Sequence, residues 1–196
     1  MTRQNIMEQD QVYSIFKDTG ALLEGHFELR SGLHSDRFFQ CANVLRYPRV
    51  AEQLCADLAA RIVETAGTAE VDAVIAPAMG GIVVGHEIAR AMAVKSIFAE
   101  KQEGKLVLRR FTIDVGETFI VAEDVVTRGG RVQETVDIVE ANGGRIAAIA
   151  LLVDRSGGSA RFNYPTVSLM KMEPVTYEPA ECPLCARGIP LEHPGS

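Results

Sequence analysis

No stretch of this chain is apolar for long enough to cross a bilayer as a helix. The longest apolar run, Ile146 to Val153, has eight residues, where a membrane helix needs about 20. The first ten residues are polar and hold no apolar leader core, so no signal peptide is expected. Cysteine is scarce: Cys41, Cys55, Cys182 and Cys185 are irregularly spaced, which excludes a disulfide framework and predicts a reducing, cytoplasmic compartment. Basic residues are outnumbered, 20 Lys+Arg against 26 Asp+Glu for a net charge of −6, so neither a nucleic acid nor a membrane is an expected partner. Internal repeats, low-complexity tracts and linkers are also missing, and 196 residues suit a single domain with a sizeable core.

One local basic cluster does exist. Lys101, Lys105, Arg109 and Arg110 lie within ten residues, opposed only by Glu103, and could serve a small anionic ligand. Around it the pattern alternates. Residues 8–19 place Val12, Ile15 and Phe16 on one helical face before Gly20. Pro48 opens a helix in which Val50, Leu54, Leu58 and Ile62 recur every four residues, and Gly67 closes it. Strands are predicted at Val71–Ala76, Ser96–Ala99, Thr118–Ala122, Ile146–Val153 and Thr166–Met170, with helices at Ile82–Met92 and Val132–Ala141. Residues 101–117 read as an exposed loop or hairpin. Strands alternating with helices predict an α/β fold: a parallel sheet of about five strands flanked by helices. The ligand is then expected beyond the carboxyl ends of the strands. Residues of about 20–45 break the pattern and are expected to form a small cap, or hood, beside a core of about 46–175. A C-terminal tail, 176–196, follows.

The chemistry concentrates in Thr118–Val132, where an apolar strand runs into Glu123-Asp124, then Val125-Val126-Thr127-Arg128-Gly129-Gly130-Arg131 and a helix. Backbone N–H groups at a helix N-terminus, with the positive end of its dipole, bind anions. Gly129 and Gly130 let that backbone approach a phosphate, and Thr127 adds a hydroxyl. The two acids would repel a phosphate but suit the two hydroxyls of a ribose. A ribose 5-phosphate satisfies both halves. The Gly-Lys-Ser/Thr ending of a P-loop is absent.

This segment resembles the signature of the type I phosphoribosyltransferases over about 13 positions. Leu23–Gln40, with Arg30 before Ser31-Gly32 and the paired Phe38-Phe39, resembles the N-terminal cap of the orotate phosphoribosyltransferases, and Val153–Gly158 resembles their base-side loop. Phe98–Lys101 resembles the family's diphosphate-side basic segment. The resemblance covers about Gly20 to Pro190. It implies the type I phosphoribosyltransferase fold and transfer of a phosphoribosyl group from 5-phosphoribosyl 1-diphosphate to orotate, giving orotidine 5′-phosphate in pyrimidine biosynthesis. It also implies a homodimer. Glu123 and Asp124, with Lys101 and Lys105, become the catalytic candidates. Val125 to Arg131 and Lys101 become donor contacts, and Thr127, Arg155, Arg30, Phe38 and Phe39 base contacts. Mg²⁺ is the implied cofactor, held by diphosphate oxygens and water rather than a protein cage, with Asp124 as the candidate carboxylate ligand.

Bland readings stand beside these. Arg155 could pair with Asp154, and Arg30 could be a solvated charge. Adjacent Phe38 and Phe39 cannot share one strand face, so one is core while the other, or its backbone, lines the pocket. His26 and His34 read as structural or exposed. Pro77-Ala-Met79-Gly80-Gly81 departs from better-known members, which carry an aromatic residue and a Lys at the positions of Met79 and Gly80, so only backbone is expected to meet diphosphate there. Residues 102–110 lack the His common in that loop, leaving Lys105 or Arg109 as its basic residue. Cys182-Pro-Leu-Cys185 offers two of four zinc ligands, with Cys41, Cys55 and His193 only loose candidates for the rest, and reads as two free thiols. Two rival functions remain: transfer to a purine or uracil, and a catalytically silent sensor of the same donor.

Overall fold

The computed structural model describes residues 6–29, 31–67, 70–173 and 175–194, so the expectation for Arg30 lies outside the described residues. Helix α1 (Gln9–Asp18) buries Val12 and Phe16. It leads into a hood hairpin of β1 (Leu22–Glu28) and β2 (His34–Phe39) and a short α2 (Ala42–Leu45). Helix α3 (Pro48–Ala66) starts on its proline and stops at Gly67 with φ 60°, as the sequence predicts. There follow β3 (Ala73–Pro77), α4 (Gly80–Met92), β4 (Lys95–Gln102), β5 (Lys105–Val107), β6 (Thr118–Val126), α5 (Gly130–Ala141), β7 (Arg145–Asp154) and β8 (Thr166–Lys171). The tail supplies β9 (Thr176–Tyr177), a single 3₁₀ turn and α6 (Pro183–Ala186).

The main sheet runs β5-β4-β3-β6-β7-β8. Its five strands from β4 to β8 in that order pair in parallel, and β5 adds an antiparallel edge. Alternation along each strand feeds two apolar layers. On one face Leu54, Leu58 and Ile62 of α3 and Val84 and Ile88 of α4 meet Val74, Ile120 and Leu152. On the other, Val132, Val136 and Val139 of α5 meet Ile75, Val121 and Ile149. The chain leaves β3 towards β4 on one side and returns as β6 on the other. The strand order therefore reverses between β3 and β6, which is where open α/β sheets leave a crevice.

Two details depart from the sequence expectation, and one open alternative is decided. β6 continues four residues past Ala122, because β7 offers it a ladder as far as Asp154: Glu123 pairs with Leu151 and Val126 with Asp154. Both acids thus sit on a strand end rather than in a loop. At 101–117, where a loop or a hairpin was expected, the hairpin forms. β4 and β5 form a hairpin turning through Glu103 and Gly104, both at positive φ. Leu108, Phe111 and Ile113 then pack on the α5 side of the core. The tail, in turn, is part of the hood. β9 pairs with β2, and Glu192 exchanges backbone hydrogen bonds with His26 and Glu28, giving its N–H to His26 O at 2.8 Å.

The partners suggested for the CxxC are also corrected. Cys41 and Cys55 are buried in the main core, and His193 meets Glu28 at 3.3 Å. The neighbours of Cys182 and Cys185 are His26 and His34.

Candidate active site

At the carboxyl end of β6 a cavity of about 160 Å³ is lined by Glu123 and by Val125 through Val132. Its floor is the N-terminus of α5. Gly129 precedes that helix with φ 79°, no side chain caps it, and the first helical bond to Gly129 O comes from Gln133 N–H at 2.9 Å. The N–H groups of the first turn are therefore free to point at a ligand. Gly129 is required twice over. Its φ is left-handed, and a Cβ there would lie 2.9 Å from the Phe162 ring. Thr127, Arg128 and Arg131 line the same cavity from exposed positions. The sequence carried no signal for Phe162, which arrives from the β7–β8 connection.

Glu123 and Asp124 stand over the reversal between β3 and β6. Glu123 is 2% exposed, and its Oε1 accepts the Asp124 N–H at 3.1 Å. Asp124 is half-buried, and its Oδ1 accepts the Val125 N–H at 2.9 Å. The start of α4 presses on both. A Cβ on Gly80 would run into the Asp124 carboxylate, and one on Gly81 would sit 3.1 Å from Glu123 Oε1. This explains why no side chain stands at these two positions: glycine lets the helix N-terminus reach the acids. The peptide between Ala78 and Met79 is cis.

Burial, followed by the charge of Asp124, pushes the Glu123 carboxyl well above the usual carboxylate range. The sign of the consequence is fixed. Between the unfolded and the folded pKa the native state holds a proton that the unfolded state has lost, so Glu123 subtracts stability as pH rises through that window. Glu123→Gln, neutral at every pH, is expected to flatten this fall, and thermal unfolding of both proteins from pH 5 to pH 9 reads it. Parallel curves would place the proton elsewhere.

The base-side candidates separate. Arg155 follows β7, and its N–H donates to Val126 O at 2.8 Å, tying it to the end of β6. Its guanidinium lies 5.4 Å from the centre of the Phe39 ring. Its Nε is buried without a hydrogen-bond partner, and burial lowers its pKa. Asp154 does not pair with it; Asp154 Oδ1 accepts the Ser156 N–H at 2.9 Å instead. Phe39 is the core member of its pair, edge-on to Phe16, and Phe38 lies half-buried against Phe27 on the opposite face of β2. The contact between Phe39 and Arg155 was not legible in the sequence, since 116 positions separate them.

On the diphosphate side, Ala78 N–H donates to Ala99 O at 2.8 Å, which brings the end of β4 beside the end of β3. Lys101, two residues further on, is exposed at that edge, and Lys105 is exposed opposite Gln102 across the hairpin. Neither makes an ion pair among the described residues. Arg110 is taken out of the basic cluster by Glu100, at 2.8 Å.

With this geometry in place, similarity to known proteins can be weighed. A family model described as the phosphoribosyl transferase domain matches residues 43–184. Orotate phosphoribosyltransferase of Heliobacterium modesticaldum is 50% identical over 191 residues, spanning 97% of this chain and 99% of that protein. The enzyme of the same name from Caldicellulosiruptor bescii is 48% identical over 97% of this chain and 98% of its own. Among solved structures, orotate phosphoribosyltransferase from Aeropyrum pernix superposes with a TM-score of 0.66 at 23% identity, covering 83% of this chain and 94% of that one. Adenine phosphoribosyltransferase from Thermoanaerobacter pseudethanolicus gives 0.59 at 18%, covering 69% and 88%. These structural likenesses carry the fold and do not choose the base.

Proposed function

The chain belongs to the phosphoribosyl transferase family, and from that premise we propose that it is an orotate phosphoribosyltransferase whose donor sits on Glu123 to Arg131 and whose base meets Arg155. It transfers the phosphoribosyl group of 5-phosphoribosyl 1-diphosphate to orotate, forming orotidine 5′-phosphate in pyrimidine biosynthesis. The observation that carries the site assignment is the meeting of three features around one strand end: two acids, an uncapped helix N-terminus, and the half-buried Arg155, bound through its backbone to Val126 and without an ion pair among the described residues.

The first turn of α5 and Thr127 hold the 5-phosphate. Asp124 and Glu123 face the ribose hydroxyls. A ring nitrogen of orotate attacks the anomeric carbon as diphosphate leaves, so the protein needs to supply position and charge rather than a nucleophile. Lys101, with Lys105 or Arg109, faces the departing diphosphate. Arg155, stacked on Phe39, takes the orotate carboxylate, because a planar guanidinium meets a carboxylate with two parallel hydrogen bonds. The single cluster of potential metal ligands among the described residues holds two thiols and two imidazoles, the wrong donors for Mg²⁺. Asp124 is the carboxylate that would help hold a Mg²⁺ brought in with the donor, and the ion would supply charge that offsets the diphosphate. The family resemblance further supports a cytoplasmic homodimer, and light scattering at working concentration reads the oligomeric state.

The direct test follows orotate by ultraviolet absorbance with 5-phosphoribosyl 1-diphosphate and Mg²⁺, with adenine, hypoxanthine and uracil in parallel. Consumption of orotate alone is expected. Turnover of another base would leave the donor site standing and remove the roles given to Arg155 and Phe39.

A further inference from the structure

Outside the crevice of β6, four side chains converge where the tail lies on the hood. His26 of β1, at the register shift between Glu24 and Phe27, meets His34 of β2 across the hairpin, with ring centres 4.8 Å apart. The tail brings Cys182 and Cys185 against them. His26, His34 and Cys182 are buried, and Cys185 reaches the surface. His26 Nε2 lies 2.9 Å from His34 Nδ1, 3.5 Å from Cys182 Sγ and 3.7 Å from Cys185 Sγ. Cys185 Sγ is 3.3 Å from His34 Nδ1. All four atoms fall within 4.8 Å of one another.

Ordinary hydrogen bonds do not account for this. His26 Nδ1 is 2.8 Å from the carbonyl of Ile189. A carbonyl only accepts, so Nδ1 carries the proton and the neutral ring leaves Nε2 as a bare lone pair. That one lone pair faces three groups. A metal ion at the centre would take it and satisfy all four ligands at once. The nitrogen–sulfur contacts of 3.3, 3.5 and 3.7 Å agree with this. With Zn–S near 2.3 Å and Zn–N near 2.05 Å, a regular tetrahedron spaces nitrogen from sulfur by about 3.6 Å and nitrogen from nitrogen by about 3.3 Å. The contact between His26 and Ile189 is the outer partner that commonly orients a ligating imidazole.

We propose that His26 Nε2, His34 Nδ1, Cys182 Sγ and Cys185 Sγ form a closed tetrahedral Zn²⁺ site that staples the C-terminal tail to the hood. Two thiolates and two imidazoles select zinc over the harder Mg²⁺ of the transfer reaction. Four protein ligands leave no open position, so the ion is structural rather than catalytic. Without the ion the tail is held mainly by backbone pairing of β9 with β2 and of Glu192 with β1, with β9 only two residues long and α6 four. On metal binding the two thiols release their protons, and the ordering of the tail becomes coupled to the ion.

The test uses the full chain, reduced, stripped with chelator, reloaded with Zn²⁺ and passed over chelating resin, and its readout is independent of activity. One equivalent of zinc is expected to remain by elemental analysis, and to raise the thermal midpoint by at least ~5 °C. Co²⁺ in its place should give the visible bands of a tetrahedral ion with thiolate charge transfer. Cys185→Ser, at a surface position that tolerates the change, and His34→Gln should each retain under about a tenth of an equivalent and lose the cobalt spectrum. Wild-type protein that keeps no zinc, or a Cys185→Ser protein that keeps as much as wild type, overturns the site. If either variant is misfolded by circular dichroism, the wild-type stoichiometry and cobalt spectrum decide alone.

Discussion

Asp124→Asn is expected to lower turnover by roughly 10²-fold or more while leaving the thermal midpoint near that of wild type. The asparagine oxygen can still accept the Val125 N–H that Asp124 Oδ1 takes at 2.9 Å, so the path of the chain into the phosphate loop is kept. What disappears is charge. Glu123 is buried and held towards its neutral form, with the charge of Asp124 among the causes. The ribose gains positive character only as diphosphate leaves, and an interaction realised only then shows in kcat more than in KM. Steady-state kinetics with both substrates varied separates the two. Turnover within a few-fold of wild type would remove Asp124 from the role, and a matching loss in donor affinity would make it a binding group instead.

The acid pair and the loop after it were legible because everything they need is contiguous. An apolar strand, two carboxylates, a Thr, two glycines and a helix lie in one run of 15 residues from Thr118 to Val132, and the physics of a helix N-terminus is local. The helix limits at Pro48 and Gly67 were legible for the same reason. Contacts made across the fold were not. Nothing near Gly129 in sequence announces Phe162, and nothing near Arg155 announces Phe39. The largest miss was the pairing of Cys182 and Cys185 with His26 and His34, 156 residues apart for Cys182 and His26. A spacing motif reads ligands on one short segment. Here two come from a hairpin at the start of the chain and two from its end, and the Glu192 bridge to β1 that joins them is backbone pairing, which leaves no mark on composition. The hairpin at 102–105 stayed an open alternative to a loop because its charge signals exposure, and exposure does not distinguish a two-residue turn from an open segment.

Arg155→Ala is expected to raise the KM for orotate by roughly 10- to 100-fold, the range for losing a charge-assisted pair, with the KM for the donor little changed. The structure allows that separation. Arg155 supports the end of β6 and the loop after it through its backbone N–H on Val126 O at 2.8 Å, and alanine keeps that bond. Only the guanidinium goes, and in the free protein it rests on Phe39 with its Nε buried and unpaired. An unpaired buried donor costs stability unless a ligand repays it, so the same substitution should leave the unliganded protein as stable as wild type or slightly more so. Arg155→Lys should not restore the KM, because a single ammonium cannot reproduce two parallel bonds or the stacking on an aromatic face. Equal losses for orotate and donor would mean that Arg155 holds the loop and not the base. Recovery by lysine would reduce its part to charge alone, and the choice of orotate over an uncharged base would then have to come from Phe39 and the backbone around it.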